Sequence, residues 1–272
     1  MIYKYTSCPV CGSDHIKEEG YINELDNTFF VYRCLSCEER FNSKIKYIAE
    51  VKAQEAKKAK ELKLEEKAFG LGSMVFENSK NSVIEIAAVT GDKTQLGTGI
   101  VITEDGYILT NAHTLFSCDD KTTLCDSFFG KIKEETFEAD FIYADKESDI
   151  ALLKTYEMDF KPVKFARDSV KTGDKIFAVG NSKGKGLCIL EGLVSDSERV
   201  LKGQKYLMIS ALVTNGNSGG PVFNGKGEMV GMVAIGCGDS PAMNYAIPLN
   251  RLIEFIRYVE KQEDLEILEE MA

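Results

Sequence analysis

The sequence contains no tryptophan, only two histidines and only five prolines in 272 residues. It also lacks the roughly 18 consecutive apolar residues that a membrane-spanning helix requires, which excludes an integral helical membrane protein. The first residues form neither an apolar stretch nor a small-residue cleavage site, so no export signal is recognisable. We therefore expect a cytoplasmic protein, in a compartment where stable disulfide bonds are rare.

Positive charge is scarce, with 33 lysines and arginines against 43 aspartates and glutamates and a formal net charge of −10. A protein that mainly binds nucleic-acid phosphates carries the opposite balance. Residues 1–42 contain four basic and seven acidic residues, so nucleic-acid binding is disfavoured for this segment too. A hydrophobic fraction of 44% and a charged fraction of 28% are ordinary globular values, which excludes wholesale disorder.

Cysteine is abundant, and four of the eight cysteines lie within the first 37 residues. Cys8 and Cys11 form one C-x2-C pair, and Cys34 and Cys37 form a second, with 22 residues between the pairs. Two such turns can present four thiolates in the tetrahedral arrangement that suits Zn²⁺. Redox dithiols are the alternative, but no βαβ pattern surrounds either pair. The spacing resembles that of zinc ribbons, which implies a structural Zn²⁺ site within residues 1–43.

Residues 44–67 contain neither glycine nor proline and are dominated by lysine, glutamate and alanine. These residue types favour helix, and opposite charges recur at helical spacing. We therefore predict a charged, solvated helical linker over residues 44–69. Gly70 and Gly72 then interrupt the helical pattern and indicate a domain boundary.

From about residue 74 to residue 248, short β-branched runs recur between turn sequences, with little helical periodicity. This pattern is typical of an all-β barrel or sandwich. The predicted strands cover residues 83–89, 99–103, 107–110, 149–154, 175–179, 187–194, 206–210, 229–235 and 243–247. Apolar positions between 249 and 259 follow helical spacing, which predicts a C-terminal amphipathic helix packed on this domain. The domain therefore spans residues 70–259, and an acidic tail is expected over residues 260–272.

Residues 216–221 read GNSGGP and place a serine between glycines. Such a turn can expose Ser218 as a nucleophile and direct successive backbone N–H groups at one point, as an oxyanion hole requires. A serine hydroxyl needs an adjacent base, and His113 is the only histidine other than His15 between the cysteine pairs. Asp149, the single acid at the head of an apolar strand, is the candidate that orients the imidazole.

Four ordered segments resemble the trypsin-like serine proteases, and in particular their Deg/HtrA branch. They read GTGIVI at residues 97–102, TNAH at 110–113, DIALL at 149–153 and GNSGGP at 216–221. The order His, Asp, Ser along the chain is that of the chymotrypsin type. The resemblance implies a mainly β, chymotrypsin-like double β-barrel with the site between the barrels. It also implies that His113 is the general base, that Asp149 fixes its tautomer, and that Ser218 is the nucleophile. The backbone N–H groups of Gly216 and Ser218 are then the oxyanion hole.

The same resemblance places Leu212 at the base of the pocket for the residue that precedes the cleaved bond. It also implies that Val233, Ala234 and Ile235 form an edge strand that pairs with the substrate backbone. An apolar Leu212 offers no counter-ion, which disfavours cleavage after lysine or arginine. We therefore expect cleavage after small or medium aliphatic residues.

The leading interpretation is a serine endopeptidase that acts through an acyl-enzyme, while its zinc ribbon recruits a protein substrate or partner. No nucleic-acid or membrane partner is expected. The alternative is a catalytically inert protease-fold adaptor whose ribbon binds a protein partner. Cys118 and Cys125 flank a polar loop after His113, and they are either buried apolar residues or the ends of a redox-sensitive loop.

Overall fold

A computed structural model divides the chain into two compact units, residues 1–68 and residues 69–272. It describes residues 2–3, 6–9, 12–24, 27–42, 54, 57–58, 70–117, 119–157, 160–234 and 243–268. Within these ranges no helix combines the length and the apolar character needed to cross a lipid bilayer. Most of the predicted linker helix lies outside the described residues, although Gln54, Lys57 and Lys58 are helical and exposed.

The N-terminal unit contains a small sheet built around one hairpin. Strands β2 (Ile16–Glu24) and β3 (Asn27–Cys34) pair antiparallel, and β4 (Arg40–Asn42) continues the sheet on the other side of β3. The short β1 (Ile2–Tyr3) pairs parallel with β3. Because β3 ends at Cys34, this strand delivers the second cysteine pair to the end of the hairpin where β2 begins.

The first half of the C-terminal unit is a closed, six-stranded antiparallel barrel in the order β10-β7-β6-β5-β8-β9. Its strands are β5 (Val83–Thr90), β6 (Lys93–Val101), β7 (Tyr107–Thr110), β8 (Ser127–Ile132), β9 (Glu135–Asp145) and β10 (Ile150–Lys154). Ile84, Ile86, Ile108, Phe137 and Leu153 fill its interior. The alternation of apolar residues along β5 supplies this interior on one face.

The second half is another closed, six-stranded antiparallel barrel, in the order β11-β12-β13-β16-β15-β14. Its strands are β11 (Lys175–Asn181), β12 (Leu187–Leu201), β13 (Gln204–Ile209), β14 (Pro221–Asn224), β15 (Met229–Ala234) and β16 (Asn244–Pro248). Ile176, Leu207, Val222 and Val230 pack in its interior. The prediction of a mainly β double barrel is therefore confirmed.

A third apolar cluster joins the barrels and fixes their relation. It includes Ile100 and Leu152 of the first barrel together with Phe177 and Phe223 of the second, all at most 1% exposed. Two helices complete the cluster: α1 (Leu71–Ser79), which the sequence did not predict, and α2 (Leu249–Glu263), which it did. This shared cluster packs the two barrels directly against each other, as in a single close-packed interior.

The expected acidic tail is instead largely part of the fold. Helix α2 continues to Glu263, and the chain then turns back so that Ile267 is fully buried. The Glu260 carboxylate accepts hydrogen bonds from the backbone N–H groups of Ile267 at 2.7 Å and Leu268 at 2.6 Å. Helix α2 therefore continues past the predicted boundary after residue 259, and Glu260 holds the turn that follows it.

Candidate active site

His113 and Asp149 are brought together by one strand pair of the first barrel. The register of β7 and β10 sets Thr110 opposite Ala151, so the residues just after β7 lie beside those just before β10. His113 Nδ1 lies 2.8 Å from Asp149 Oδ2 and 3.0 Å from Oδ1, and its backbone N–H donates to Oδ1 at 3.0 Å. Because an ionised carboxylate can only accept, this pairing favours the imidazole tautomer that has the proton on Nδ1 and leaves Nε2 as an acceptor.

Asp149 has an unusual backbone conformation that presents its carboxylate. Its φ is +57°, in the left-handed region that a non-glycine residue seldom occupies. The buried Asn111 side chain donates from Nδ2 to Asp149 O at 2.8 Å and so anchors this residue. Strain of this kind persists where the surroundings impose it, and it concentrates at functional sites. The sequence motif contained Asn111 but did not reveal this anchoring contact.

The loop before β14 turns at Gly216, whose φ is +93°. A Cβ at this position would lie 2.1 Å from Asn181 O, so no residue other than glycine fits. Asn215 O accepts a hydrogen bond from Lys183 N–H at 2.8 Å. The C=O and N–H of a trans peptide point in opposite directions, so Gly216 N–H is directed away from Lys183.

The backbone N–H groups around Ser218 divide into engaged and free donors. The engaged ones belong to Asn217, Gly219 and Gly220, which donate over 3.0–3.1 Å to carbonyl groups of the same barrel. In the part of the chain that the structure describes, the N–H groups of Gly216 and Ser218 have no acceptor. The loop therefore offers two backbone donors next to the serine hydroxyl.

His113, Asp149, Gly216 and Ser218 line a single cleft of about 690 Å³ at the boundary between the barrels. The structure thus brings together every residue predicted for the triad and the oxyanion hole. Ser218 itself is only 6% exposed, whereas the His113 side chain is 44% exposed. The sequence did not identify the remaining wall residues, which include Leu96, Phe116, Lys121, Lys146, Glu147, Leu201, Lys202 and Tyr206.

Of the residues predicted to form the substrate pocket, those that the structure describes do not line the cleft around Ser218. Leu212 is 74% exposed and does not line the cleft that contains Ser218. Val233 donates to Gly220 O at 2.8 Å and accepts from Gly219 N–H at 3.1 Å, so its backbone is already paired. Val233 and Ala234 are fully buried and pair with Ala246 and Tyr245 of β16, whereas the register between β14 and β15 ends at Met232. Leu212 is therefore not seen at the base of this cleft, the edge strand at Val233 and Ala234 stays a prediction, and Ile235 lies outside the described residues.

In the N-terminal unit, the sulfur atoms of Cys8, Cys34 and Cys37 all lie within 4.8 Å of one another. Cys8 and Cys37 are 3.7 Å apart, far beyond the roughly 2.05 Å of a disulfide bond. Four thiolates at about 2.3 Å from a tetrahedral ion would be separated by about 3.8 Å. These three cysteines can therefore hold a metal ion, and Cys11 lies outside the described residues.

The loop that follows His113 is held by one carboxylate. Asp120 Oδ1 accepts from the N–H groups of Thr122 at 2.8 Å and Thr123 at 2.9 Å, and the Thr123 hydroxyl donates to Oδ2. These hydrogen bonds, that of the hydroxyl above all, hold the pKa of Asp120 well below its usual range. Cys125 at the end of this loop is buried, and Cys118 lies outside the described residues, so the redox-sensitive loop stays a prediction.

Two closed barrels with a histidine, an aspartate and a serine in the cleft between them define the class of trypsin-like peptidases. Residues 97–232 match the family described as trypsin-like peptidase domain, and the chain belongs to this family. The relatives and solved structures described below support the assignment of this chain to the Deg/HtrA type of the family.

Among the curated relatives, a probable periplasmic serine endoprotease DegP-like of Pseudomonas fulva (strain 12-X) is 33% identical over 162 residues, covering 57% of this chain and 33% of the relative. The protein of the same name from Brucella suis biovar 1 is 34% identical over 179 residues, covering 62% and 34%. This chain therefore spans about a third of the length of the curated relatives it matches.

Solved structures show the same fold. The HtrA-type protease AlgW with tripeptide has a TM-score of 0.61 at 23% identity, covering 70% of this chain and 63% of that chain. The Rv3671c protease from M. tuberculosis, in its active form, has a TM-score of 0.59 at 23% identity, covering 68% and 83%. Identity this low extends the similarity to the fold alone.

The relatives also correct the predicted location. Their names place them in the periplasm, which overturns the cytoplasmic location expected from the lack of a recognisable export signal. The argument that disulfide bonds are rare in a reducing compartment therefore no longer applies to the cysteines. The sulfur separations decide the question instead, and the 3.7 Å between the Cys8 and Cys37 sulfurs fits metal binding.

Proposed function

We propose that this chain is a serine endopeptidase whose catalytic residues are His113, Asp149 and Ser218. The observation that carries this proposal is the 2.8 Å contact between His113 Nδ1 and the Asp149 carboxylate, within the cleft that Ser218 also lines. A serine hydroxyl attacks only when a base removes its proton, and the contact leaves His113 Nε2 available for that task.

The reaction follows from these roles. Ser218 Oγ attacks the carbonyl carbon of the peptide bond while its proton passes to His113 Nε2, and Asp149 stabilises the resulting imidazolium. The tetrahedral intermediate collapses when Nε2 returns the proton to the leaving amine, which leaves an acyl group on Ser218. A water molecule then attacks the acyl carbon by the same proton transfers and releases the acid and the free serine.

The negative charge on the intermediate's oxygen is stabilised by the free N–H groups of Gly216 and Ser218. The hydrogen bond from Lys183 N–H to Asn215 O supports this assignment, because it turns Gly216 N–H away from Lys183. In many acyl-transfer enzymes, preorganised donors of this kind supply the largest single part of the rate enhancement. The loss of one such donor lowers kcat by about 10²–10³-fold.

The substrate class is protein or peptide. We retain the expectation of cleavage after small or medium aliphatic residues, although Leu212 no longer supports it. Apolar wall residues such as Leu96, Leu201 and Phe116 now do so. Cleavage of a peptide library tests this preference, and a profile dominated by lysine or arginine at the cleaved position would contradict it.

A fluorophosphonate probe tests the endopeptidase proposal directly, because it reacts covalently only with an activated serine. We expect labelling of the wild type and of Ser73→Ala, an exposed serine on α1 that serves as the matched control. Ser218→Ala should not be labelled, and it should not cleave an unfolded protein substrate. Absent wild-type labelling, or equal labelling of Ser218→Ala, would favour the alternative of an inert protease-fold adaptor.

For the N-terminal unit, we propose a structural Zn²⁺ held by Cys8, Cys11, Cys34 and Cys37. The sulfur separations support it, as does the Ser36 backbone N–H, which donates to Cys34 Sγ at 3.4 Å as outer partners of metal ligands commonly do. The ion would fix the two cysteine turns and present the sheet to a protein substrate or partner. Metal analysis of the purified chain should find about one zinc per chain, and Cys34→Ser should lose it, whereas Cys188→Ser should not.

A further inference from the structure

Thr98 on β6 uses every one of its hydrogen-bonding groups, and three of its four hydrogen bonds cross to the second barrel. Its N–H donates to Ser218 O at 2.9 Å, and its hydroxyl donates to Gly216 O at 2.6 Å. The same hydroxyl accepts from Asn181 N–H at 2.9 Å. The fourth bond stays in the first barrel, where Thr110 Oγ1 donates to Thr98 O at 2.8 Å. Thr98 is completely buried, so water cannot replace any of these partners.

We propose that Thr98 is a positioning residue, whose hydroxyl fixes the conformation of the nucleophile loop and thereby directs the Gly216 and Ser218 N–H groups. This inference rests on the proposed function, and it adds a residue that sets the geometry of the same active site. Thr98 lies in the GTG sequence at residues 97–99, for which the triad provides no role.

The need for such a residue arises from Gly216. A glycine has no side chain to restrict its backbone, so its φ of +93° must be imposed by its neighbours. The peptide before Gly216 is held through Asn215 O, which accepts from Lys183 N–H. The peptide after it is held through Gly216 O, which accepts from the Thr98 hydroxyl. Removal of that hydroxyl leaves one of the two peptides without its restraint.

The Ser218 side of the loop depends on Thr98 as well, but through the main chain. The N–H of Thr98 holds Ser218 O, and this contact survives any substitution other than proline. Loss of the Thr98 hydroxyl therefore removes its hydrogen bonds to Gly216 O and from Asn181 N–H, while the nucleophile stays attached to the first barrel. Because the bond to Ser218 remains, we expect a defect in stabilisation of the transition state without loss of substrate binding.

The test compares Thr98→Val, which keeps the shape and removes the hydroxyl, with Thr98→Ser, which keeps the hydroxyl. Thr103→Val is the matched control, because Thr103 is also fully buried and its hydroxyl accepts from Tyr107 N–H, away from the loop. We expect Thr98→Val to lower kcat by about 10- to 100-fold, less than direct loss of a donor, with KM within about twofold. Thr98→Ser should restore kcat to within about threefold of the wild type.

A peptide boronate that forms a tetrahedral adduct with Ser218 provides the readout that a merely structural role would not change. Its affinity should fall in Thr98→Val by a factor similar to the loss in kcat, and should be unchanged in Thr103→Val. Equal kcat losses in the two valine variants, a loss confined to KM, or no rescue by serine would each overturn the inference.

Amide hydrogen exchange separates failure of this inference from failure of the proposed function. Exchange in residues 214–219 should be faster in Thr98→Val than in both the wild type and Thr103→Val, whether or not the chain cleaves peptides. An unreactive wild type with faster loop exchange in Thr98→Val would reject the proposed function and keep the loop restraint. Unchanged exchange in Thr98→Val would overturn the inference about Thr98 even in an active enzyme.

Discussion

The two barrels have the same number of strands and the same closed pairing, yet they hold their parts of the site by different means. The first barrel supplies His113 and Asp149, which contact each other side chain to side chain at 2.8 Å. The second supplies Ser218 and two N–H groups, and the loop that carries them is held through its main chain, by backbone hydrogen bonds, by the Thr98 hydroxyl on Gly216 O and by the absence of a Cβ at Gly216. The first barrel's part should therefore respond to changes in side-chain chemistry, and the second's to changes in backbone freedom.

The largest expected effect comes from a substitution that changes the chemistry of the His113–Asp149 contact in the first barrel but keeps the shape of the side chain. Asp149→Asn replaces an acceptor-only carboxylate by an amide that can donate to Nδ1, so the imidazole adopts the tautomer in which Nε2 carries the proton. The base is then lost, and kcat should fall by about 10³–10⁴-fold in steady-state peptide hydrolysis.

Asp140→Asn is the control, since Asp140 is an exposed carboxylate on β9 of the same barrel. It should retain wild-type kcat. If Asp149→Asn also retained wild-type kcat, the side-chain contact would not orient the base. The first barrel's part of the site would then not depend on side-chain chemistry.

The corresponding change in the second barrel alters the backbone and leaves all three triad side chains intact. Gly216→Ala adds a Cβ 2.1 Å from Asn181 O at a residue with φ +93°, so the loop must move. We expect kcat to fall by about 10²–10³-fold, as for loss of one oxyanion donor. The displaced conformation should also cost about 1–3 kcal/mol of unfolding free energy, measured by denaturant titration.

Gly227→Ala distinguishes backbone strain from displacement of the loop. Gly227 also has a positive φ, of +75°, but a Cβ there meets no atom within 4 Å. Its alanine variant should lose about 1–2 kcal/mol of stability and no activity. Equal kcat values for the two variants would show that the second barrel's site does not depend on backbone placement.

The same distinction explains how much could be predicted from the sequence. The triad, the double barrel and helix α2 were predicted because their signals are local, namely short motifs and the periodicity of apolar residues. The Asn111 anchor, the wall residues of the cleft and the Thr98 contacts could not be predicted. They depend on which strands meet across the barrels, and Thr98 lies more than 100 positions from Gly216 in the sequence.

The missed and misplaced elements have local causes as well. Strand β9 (Glu135–Asp145) carries four acidic residues, which hid its pattern, and β14 (Pro221–Asn224) is too short for periodicity to show. The pocket at Leu212 was inferred from its distance in sequence to Ser218. Distance along the chain does not determine which way a loop residue faces, and Leu212 faces solvent.

The smallest expected effect concerns the loop of the first barrel that the Asp120 carboxylate holds. Its hydrogen bonds from Thr122 and Thr123 lower the pKa of Asp120, so the folded loop favours the charged form. That stabilisation is complete above the unfolded pKa of about 3.9 and is lost as the pH falls through the lowered pKa. Asp120→Asn should therefore speed amide exchange in residues 119–124 by about threefold at pH 6, because an exposed hydrogen bond contributes little.

Acid should lower the protection of the same amides in the wild type, measured against their intrinsic exchange rates, but only below about pH 3.9, and protection in the nucleophile loop at residues 214–219 should not change in either case. Asp119→Asn is the matched control, because its carboxylate pairs with Lys93 and not with the backbone of its own loop. Faster exchange in residues 214–219 of Asp120→Asn would show that the loop after His113 supports the nucleophile loop in addition to Thr98, and the restraint on that loop would then not be confined to Thr98.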